Sequence, residues 1–422
     1  MGTRKRIAVD QLKPGMFLVE LDRPWIKTPL LFHKRLIRRP EEIDLLKRHG
    51  IREVTIDLGK GADIDKSAGS APASLPQSAE TPATNPDTRV PSDRPGLLPG
   101  TGKLLAARKM YAEAHSVMEC FLDDATMDRE PAITPLKDLV STMLDRILDD
   151  RTSVLTQLFL GQMQRYDRSL AVHAVDTCVL SLIFGTEFGL TGEDREAVGT
   201  GALLHDIGYL RLPRNLYRRA HSCTEQERRL MQEHPRLGVA MLAGSKDVRD
   251  NIARVVREHH ERRDGSGFPA GLAGPAISPL SQLVGLVDTY DGLVNPRGSQ
   301  TPLIPHEAIR QLFVLGQKGQ FEMEIVEVAI KALGVYPIGS LVQLNTGERG
   351  VVVAVNPLQR LKPVLALISD AHQQLSQEPL FVDLSEQDAS APPRSIVQCL
   401  DPAHERIDIA AYLQLCLNGQ QT

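Results

Sequence analysis

Residues 252–269 read IARVVREHHERRDGSGFP, and this stretch decides the fold of the central part of the chain. Apolar residues at 252, 255 and 256 and a histidine at 259 follow the i, i+3, i+4, i+7 spacing of one helix face. A turn-rich loop with two glycines and a proline comes directly after the histidines. A histidine on a core-facing stripe implies a buried polar cluster, which must find partners. The stretch therefore predicts a helical core that borders a chemically active site.

Histidines and carboxylates recur through the same region. Six of the chain's 12 histidines fall between His173 and His260. Adjacent side chains on a helix point about 100° apart, so a His-Asp or His-His pair can flank an ion. Histidine and carboxylate without thiolate suit iron, manganese or another octahedral transition metal better than structural zinc. The candidate metal ligands are His173, His205, Asp206, His234, His259, His260 and Asp288.

The overall composition is that of an ordinary soluble protein. Of 422 residues, 42% are hydrophobic and 24% are charged, and the net charge is −4, which does not favour a nucleic-acid polymer or an anionic membrane as partner. No apolar run approaches the roughly 18 residues of a membrane span, and the basic start lacks the apolar stretch of a secretory signal. Five cysteines without a CxxC pair indicate neither a disulfide framework nor a thiolate zinc site. A cytoplasmic location is expected.

Two parts are expected before the helical region. Residues 1–58 predict a small α+β module, with short strands around a helix at 40–49. Residues 59–102 are rich in Ala, Ser, Pro, Thr and Gly. Such a segment buries too little apolar surface to offset the entropy of ordering, so it predicts a flexible linker.

The helical domain is expected to span residues 103–335, with Thr191 and Thr224 opening two of its helices as capping boxes. Residues 336–422 predict a C-terminal extension that contains a β-hairpin around 345–347. A third strand is expected at residues 364–368. The predicted fold is therefore mainly α, with a small α+β module before the helical domain and a short β extension after it.

The motifs resemble the HD-GYP family, the bacterial branch of the HD phosphohydrolases that hydrolyses cyclic di-GMP. The N-terminal residues Leu12-Lys13-Pro14-Gly15-Met16 are similar to a small uncharacterised domain that often precedes this family. The matching motifs are Tyr166-Asp167 before His173, Leu204-His205-Asp206-Ile207-Gly208, His234-Pro235 with Gly238, His259-His260-Glu261 with Asp264-Gly265-x-Gly267-Phe268-Pro269, and Val287-Asp288-x-Tyr290-Asp291. This resemblance implies an HD-type helical bundle around a binuclear metal site.

The resemblance also implies an activity and a set of roles. The activity is a metal-dependent phosphodiesterase that converts cyclic di-GMP to pGpG, to GMP or to both, with two divalent ions, iron or manganese. A homodimer and contacts of the loop at 264–269 with other signalling proteins belong to the same expectation. One ion would be bound by His173, His205 and Asp288, and the other by His234, His259 and His260, with Asp206 bridging them. Asp206 and His205 would be catalytic, and Tyr209, Arg297, Gly265, Gly267 and Phe268 would bind the substrate.

The chain departs from the family pattern around the expected phosphate site. Tyr209 stands where the family has a lysine, and Phe268 replaces its signature tyrosine. Further departures are Gln282 for an arginine, Ser169 for a glutamate that supports a third metal, and Arg297-Gly298-Ser299-Gln300 for Arg-Pro-Tyr-Arg. The remaining cations that could replace the lysine are Arg297, Arg262 and Arg263.

Two functions follow from this balance. The complete ligand set favours a phosphodiesterase, whereas the lost cations favour a degenerate receptor that binds cyclic di-GMP or a partner protein with little turnover. If the enzyme is active, the sequence predicts that Tyr209→Lys raises the rate of hydrolysis, because a lysine would add a charge-assisted contact to phosphate.

Overall fold

The structure, a computed structural model, separates into two compact units, Met1–Pro95 and Gly96–Thr422. Residues 59–99 of the predicted linker at 59–102, the motif Tyr166-Asp167, residues 298–300 and most of the predicted helix at 40–49 lie outside the described residues. The last two residues of that linker, 101 and 102, are helical. The described residues are 4–21, 35–37, 43–44, 46–47, 51–58, 100–127, 132–164, 169–213, 216–217, 223–297, 301–356, 358–387 and 393–418.

The first unit contains a four-stranded antiparallel sheet. Its strands are β1 (Arg4–Ala8), β2 (Phe17–Leu21), β3 (Arg35–Leu36) and β4 (Glu53–Asp57), in the order β1-β4-β2-β3. Apolar side chains of β1, β2 and β4 form one core with Ile43 and Leu46, which are helical. The unit therefore combines a sheet with helical residues, as the hydrophobic pattern predicted.

The second unit begins with a run of helices. The helices are α1 (Thr101–Thr126), α2 (Thr134–Gln164), α3 (Leu170–Phe188), α4 (Gly192–Leu204), α5 (Glu225–Met231), α6 (His234–Leu242), α7 (Asp250–Glu258), α8 (Pro279–Val294), α9 (Pro305–Gln317) and α10 (Met323–Leu333). The sequence analysis expected no apolar run of membrane-span length, but among the described residues α3 has the length and hydropathy of such a span. Of its apolar window, 78% is buried inside the protein, as in the central helix of a bundle. The expected mainly α fold is confirmed.

The two predicted capping boxes have different outcomes. Thr224 accepts a hydrogen bond from the backbone of Glu227, whose side chain accepts in return from the Thr224 N–H, so this capping box is confirmed. Thr191 precedes α4 but makes no side-chain hydrogen bond to the helix, so the other prediction is wrong. The third helical residue there is Asp194, whose side chain is one methylene shorter than the glutamate that closes a capping box.

A five-stranded antiparallel sheet follows the helices. Its strands are β5 (Leu341–Leu344), β6 (Arg349–Ala354), β7 (Val364–Ser369), β8 (Leu375–Asp383) and β9 (Ile396–Leu400), in the order β8-β7-β6-β5-β9. The chain then forms α11 (Pro402–Glu405) and α12 (Ile409–Asn418). The predicted hairpin is β5–β6 and the predicted third strand is β7. The sequence analysis missed β8 and β9; β9 pairs with β5 across more than 50 residues, a partner that no local pattern reveals.

Candidate metal centre

All seven candidate ligands meet at one place in the helical region. His173 and Asp288 lie inside α3 and α8, and His234 is the first residue of α6. The two adjacent pairs were expected within helices, but the structure places His205-Asp206 just after α4 and His259-His260 just after α7. His205 and His259 keep helical backbone angles, so each pair directly extends the end of its helix toward the cluster.

Two glycines allow the ligand-bearing segments to approach each other. A Cβ atom on Gly208 would lie 1.9 Å from the carbonyl oxygen of His234, and one on Gly285 would lie 2.1 Å from that of His259. Any side chain at either position would push a ligand-bearing backbone away from the cluster. The glycine after His-Asp-Ile is therefore a packing requirement of the site, and Gly285 has the same role although the sequence analysis did not identify it.

The two oxygens of Asp206 face two different pairs of histidines. Oδ1 lies 3.2 Å from Nε2 of His234 and 3.7 Å from Nε2 of His259. Oδ2 lies 3.4 Å from Nε2 of His173 and 3.5 Å from Nε2 of His205. The carboxylate thus stands between two groups of ring nitrogens, the arrangement that one carboxylate shared by two cations requires.

Asp288 and His260 complete the two groups. Oδ1 of Asp288 lies 3.2 Å from Nε2 of His173, and its Oδ2 lies 3.7 Å from Nδ1 of His260. Within the described residues, the ligand atoms of two sets lie close enough together to hold an ion. The sets are His173, His205 and Asp206, and Asp206, His234, His259 and His260.

The tautomers of the histidines fit a cation. Nδ1 of His234 lies 2.7 Å from the carbonyl oxygen of Met231, and Nδ1 of His259 lies 3.0 Å from that of Val256. Because a carbonyl oxygen only accepts, each Nδ1 carries the hydrogen and each Nε2 presents a lone pair. These two Nε2 atoms face each other at 3.2 Å, where two lone pairs repel unless a cation lies near both. The donor set therefore fits divalent metal ions, as expected of an HD domain.

The carboxylates are held in their ionised form. Burial alone would raise the pKa of Asp206, but the nearby His205 and Arg297 hold it well below its ordinary value. Burial opposes ionisation of Asp288 in the same way, but a hydrogen bond from His173 and the charge interactions with His260, His173 and His205 together keep its pKa well below the usual range. Both groups are therefore anionic ligands at neutral pH.

The histidines respond to burial in two ways. Burial lowers the pKa of His205 to about 4 and that of His260 well below its ordinary value, so both rings are neutral and able to coordinate. Burial also disfavours the charged form of His173, yet its hydrogen bonds to Asp288 and Asp291 raise its pKa to about 9. Coordination through Nε2 of His173 thus requires that a proton be released.

Asp291 is a site residue that the sequence analysis quoted in a motif but did not assign. It is buried, and its Oδ2 accepts a hydrogen bond of 2.8 Å from Nδ1 of His173. Its Oδ1 accepts weaker bonds from Gln162 and Asn295. A carboxylate behind a ligand histidine fixes the ring orientation and makes the other nitrogen more basic. The i, i+3 spacing from Asp288 on α8 is the signal that could have identified it.

The loop after the second histidine pair is built on Glu261. This buried carboxylate accepts hydrogen bonds from the backbone of Ala270 at 2.7 Å and of Leu272 at 2.9 Å. Gly265 has φ of +79°, and a Cβ on Gly267 would lie 2.4 Å from the backbone nitrogen of Arg262. Both glycines shape the loop; their expected contact with substrate stays a prediction.

The loop places Phe268 on one of the ligand histidines. Its ring stacks on that of His260, with centroids 4.4 Å apart and an interplanar angle of 28°. Phe268 therefore borders the candidate site, as the expected role of the loop requires.

Of the three candidate cations, Arg297 reaches the cluster. Its Nη2 donates to Oδ2 of Asp206 at 2.8 Å. Arg262 instead donates to the carbonyl oxygen of His259 and to Thr289, and Arg263 pairs with Glu322. The latter two stabilise the surrounding structure, which leaves Arg297 as the candidate for phosphate binding.

Two departures from the family pattern have local structural roles. Ser169 caps α3, the helix that carries His173, by accepting a hydrogen bond from the backbone of Val172. Gln282 is buried and accepts a hydrogen bond from the backbone of Glu322. Both side chains contribute to the stability of helices at the site.

Comparison with protein families identifies the central domain. Residues 143–324 match the model described as an HD domain, which includes every ligand candidate. The chain therefore contains an HD domain. Residues 4–136 match a domain of unknown function (DUF3391), a match that continues past the predicted linker and through α1 to the start of α2. Residues 341–404 match a KOW domain associated with the HD domain.

Curated relatives are similar over different shares of the chain. A cyclic di-GMP phosphodiesterase of Pseudomonas aeruginosa is 29% identical over 90% of this chain and 89% of its own length. A 3′3′-cGAMP-specific phosphodiesterase of Vibrio cholerae is 29% identical over 34% of this chain, which spans 28% of that relative. Among solved structures, an HDG"Y"P protein from Bdellovibrio bacteriovorus has a TM-score of 0.47 at 17% identity, covering 78% of this chain and 98% of the other.

Proposed function

We propose that the HD domain is a metal-dependent phosphodiesterase that hydrolyses cyclic di-GMP to pGpG and then GMP. The observation that carries the proposal is the position of Asp206, whose two oxygens face two separate histidine pairs. The similarity of the whole chain to a cyclic di-GMP phosphodiesterase supports the substrate. The cytoplasmic location expected from the sequence belongs to the same proposal.

Two divalent ions, iron or manganese, would be held by the cluster. One would be bound by His173, His205 and Asp288, the other by His234, His259 and His260, and both by Asp206. Ions at such a site polarise phosphoryl oxygens and activate water as a nucleophile.

The surrounding side chains prepare the site for a phosphodiester. Asp206 and Asp288 stay ionised, and Asp291 holds the ring of His173 in one orientation. The guanidinium of Arg297 stands at the edge of the cluster, where it can pair with a phosphate oxygen. Cleavage breaks the bond from phosphorus to the ribose 3′-oxygen, and the product is the linear dinucleotide.

The proposed activity is tested with anaerobically purified, iron-loaded protein and cyclic di-GMP, followed by chromatography of the products. We expect pGpG to accumulate first and GMP to follow. The matched control is Asp247→Ala, which removes an exposed carboxylate that belongs to neither ligand set and should leave the rate unchanged. Intact cyclic di-GMP after incubation with metal-loaded protein would contradict the proposal.

The same assay with 3′3′-cGAMP separates two substrates. One relative is named for that hybrid dinucleotide, although this chain spans less than a third of its length. We expect cyclic di-GMP to be preferred, because the relative matched over nearly the whole chain is named for it.

A receptor with little turnover is the second candidate, and the aromatic residue at position 209 favours it. Tyr209 replaces a lysine with a neutral side chain whose ring stacks on that of His234. A receptor would bind cyclic di-GMP at equilibrium and release it intact, which the chromatographic assay distinguishes from turnover.

The contacts of Tyr209 lead us to expect that Tyr209→Lys lowers the rate of hydrolysis, the opposite of the effect predicted from the sequence. The Tyr209 ring stacks on His234 at 4.2 Å, and the Arg297 guanidinium lies over it at 5.5 Å. A lysine there would lose both contacts and place a second cation beside Arg297. We therefore expect Tyr209→Lys to lower kcat/KM about tenfold, the equivalent of ~1.4 kcal/mol. Steady-state kinetics of Tyr209→Lys check this prediction, with Phe268→Tyr, which only adds a hydroxyl, as the comparison variant. A Tyr209→Lys enzyme with a higher kcat/KM than the wild type would contradict it and support the effect predicted from the sequence.

A further inference from the structure

Tyr217 lies against the cation of the site, although no sequence motif singles it out. The Cζ atom of Arg297 is 4.2 Å from the centroid of the Tyr217 ring and 5.5 Å from that of Tyr209. The two rings meet edge to face, with centroids 5.1 Å apart and an interplanar angle of 70°. We refer to Tyr209, Tyr217 and Arg297 together as the aromatic clamp.

The aromatic clamp is attached to the metal ligands at two points. The ring of Tyr209 is nearly parallel to that of His234, at 13° and a centroid distance of 4.2 Å. Arg297 donates from Nη2 to Oδ2 of Asp206 at 2.8 Å. The position of the guanidinium is therefore defined by two rings and by one charged hydrogen bond.

Among the residues that the structure describes, this arrangement leaves N–H donors of Arg297 without a hydrogen-bond partner. A guanidinium carries five N–H groups in its plane, whereas the aromatic rings contact its faces. Within the described residues, the hydrogen bond of the Arg297 guanidinium runs from Nη2 to Asp206. Its side chain is 23% exposed, so Arg297 is not sealed in the interior. An oxyanion that approaches the cluster can then bind the free edge.

We propose that Tyr217 and Tyr209 are positioning residues for Arg297, and that the positioned guanidinium binds a phosphate oxygen of the substrate. The substrate's identity as a cyclic dinucleotide rests on the proposed function. In this chain the positive charge then comes from the segment after α8, while position 209 supplies a ring that holds it. Because the rings restrict the long side chain before substrate arrives, less conformational freedom is lost on binding.

Steady-state kinetics test the phosphate-binding role. We expect Tyr217→Leu to raise KM about tenfold and to change kcat less than about threefold, since the ring acts on binding through Arg297. Tyr217→Phe keeps the ring and should match the wild type. The substrates are cyclic di-GMP and bis(p-nitrophenyl) phosphate, a phosphodiester without nucleobases. An unchanged KM in Tyr217→Leu, or an equal rise in Tyr217→Phe, would overturn the proposal.

A double-mutant cycle separates positioning from general packing. If Tyr217 acts through Arg297, Tyr217→Leu should have no further effect on KM in an Arg297→Gln background. Additive effects would mean that Tyr217 acts independently, and the proposal would fail. Should Tyr217→Leu not fold, Arg297→Lys gives a second test: it keeps the charge but loses the planar group that stacks, so KM should rise about as much.

A measurement without metal or substrate tests the clamp itself. Phenylglyoxal modifies accessible guanidinium groups, and peptide mass spectrometry follows the reaction at Arg297. We expect modification to be at least about fivefold faster in Tyr217→Leu and unchanged in Tyr217→Phe. Tyr336→Leu is the matched control, because that ring stacks on His306 outside the site. Equal rates in wild type and Tyr217→Leu would overturn the proposal.

These results separate failure of the clamp from failure of the proposed function. Wild-type protein that leaves cyclic di-GMP intact contradicts the proposed function alone. The modification rate of Arg297 and the KM for bis(p-nitrophenyl) phosphate still decide whether the tyrosines position a phosphate-binding group.

Discussion

Asp206→Ala is expected to remove both metal ions and to lower hydrolysis of cyclic di-GMP on the order of a thousandfold or more. One oxygen of this carboxylate faces His234 and His259, and the other faces His173 and His205. Its loss deprives both groups of their shared anion. Elemental analysis of the purified protein should find close to two transition-metal ions per wild-type chain and nearly none in the variant.

The Asp206 variant also leaves Arg297 without its ionic partner, so a loss of folding must be excluded. Asp206→Asn keeps the shape of the side chain and should lose the metal while retaining helical circular dichroism. Asp247→Ala controls for removal of an exposed carboxylate. If either Asp206 variant retained two ions per chain, the bridging role would be wrong.

Asp291→Asn is expected to weaken metal binding roughly 10- to 100-fold, the usual cost of losing a carboxylate behind a ligand histidine. The buried Asp291 accepts the hydrogen of His173 Nδ1 at 2.8 Å and thereby directs Nε2 toward Asp206 and Asp288. An asparagine is nearly the same size but neutral, so the ring loses both orientation and basicity. Competition with a chromophoric chelator for Mn²⁺ measures the affinity directly.

Asp176→Asn is the matched control for this second prediction. Like Asp291, Asp176 is a buried aspartate, but it lies on α3, three residues after His173, and belongs to neither ligand set. The control should alter thermal stability without changing the affinity for Mn²⁺. Equal metal affinity in Asp291→Asn and wild type would show that His173 does not depend on Asp291.

Parts of the fold were predictable because their signals are local. The capping box at Thr224 depends on residues three apart, and the hairpin β5–β6 follows a short turn around Gly347. The helix stripe that ends in His259 also lies within one stretch of chain. Thr191 shows the limit of such patterns, because an aspartate at the third helical position did not give the side-chain hydrogen bond.

The candidate site also contains residues that the sequence predicted and residues that only the structure revealed. Residue type and order brought out all seven ligand candidates, since histidine and aspartate on apolar stripes need buried partners. Tyr217 carried no comparable signal: a tyrosine in a basic segment predicts nothing until Arg297, 80 residues later, is found above its ring. Tyr209 is a similar case. The sequence shows it only as a replacement of the family's lysine, whereas in the structure its ring stacks on that of His234.

The sequence by itself determined the mainly helical class, the chemistry of the ligand set and the resemblance to the HD-GYP family, because these depend on residue type, periodicity and motif order. Only the tertiary structure decided which oxygen of Asp206 faces which histidines, that Asp291 supports His173, and that Arg297 is the cation at the cluster. Those facts depend on helix ends meeting within a few ångströms at Gly208 and Gly285. Such distances are set by the packing of segments far apart in the chain, which no local pattern encodes.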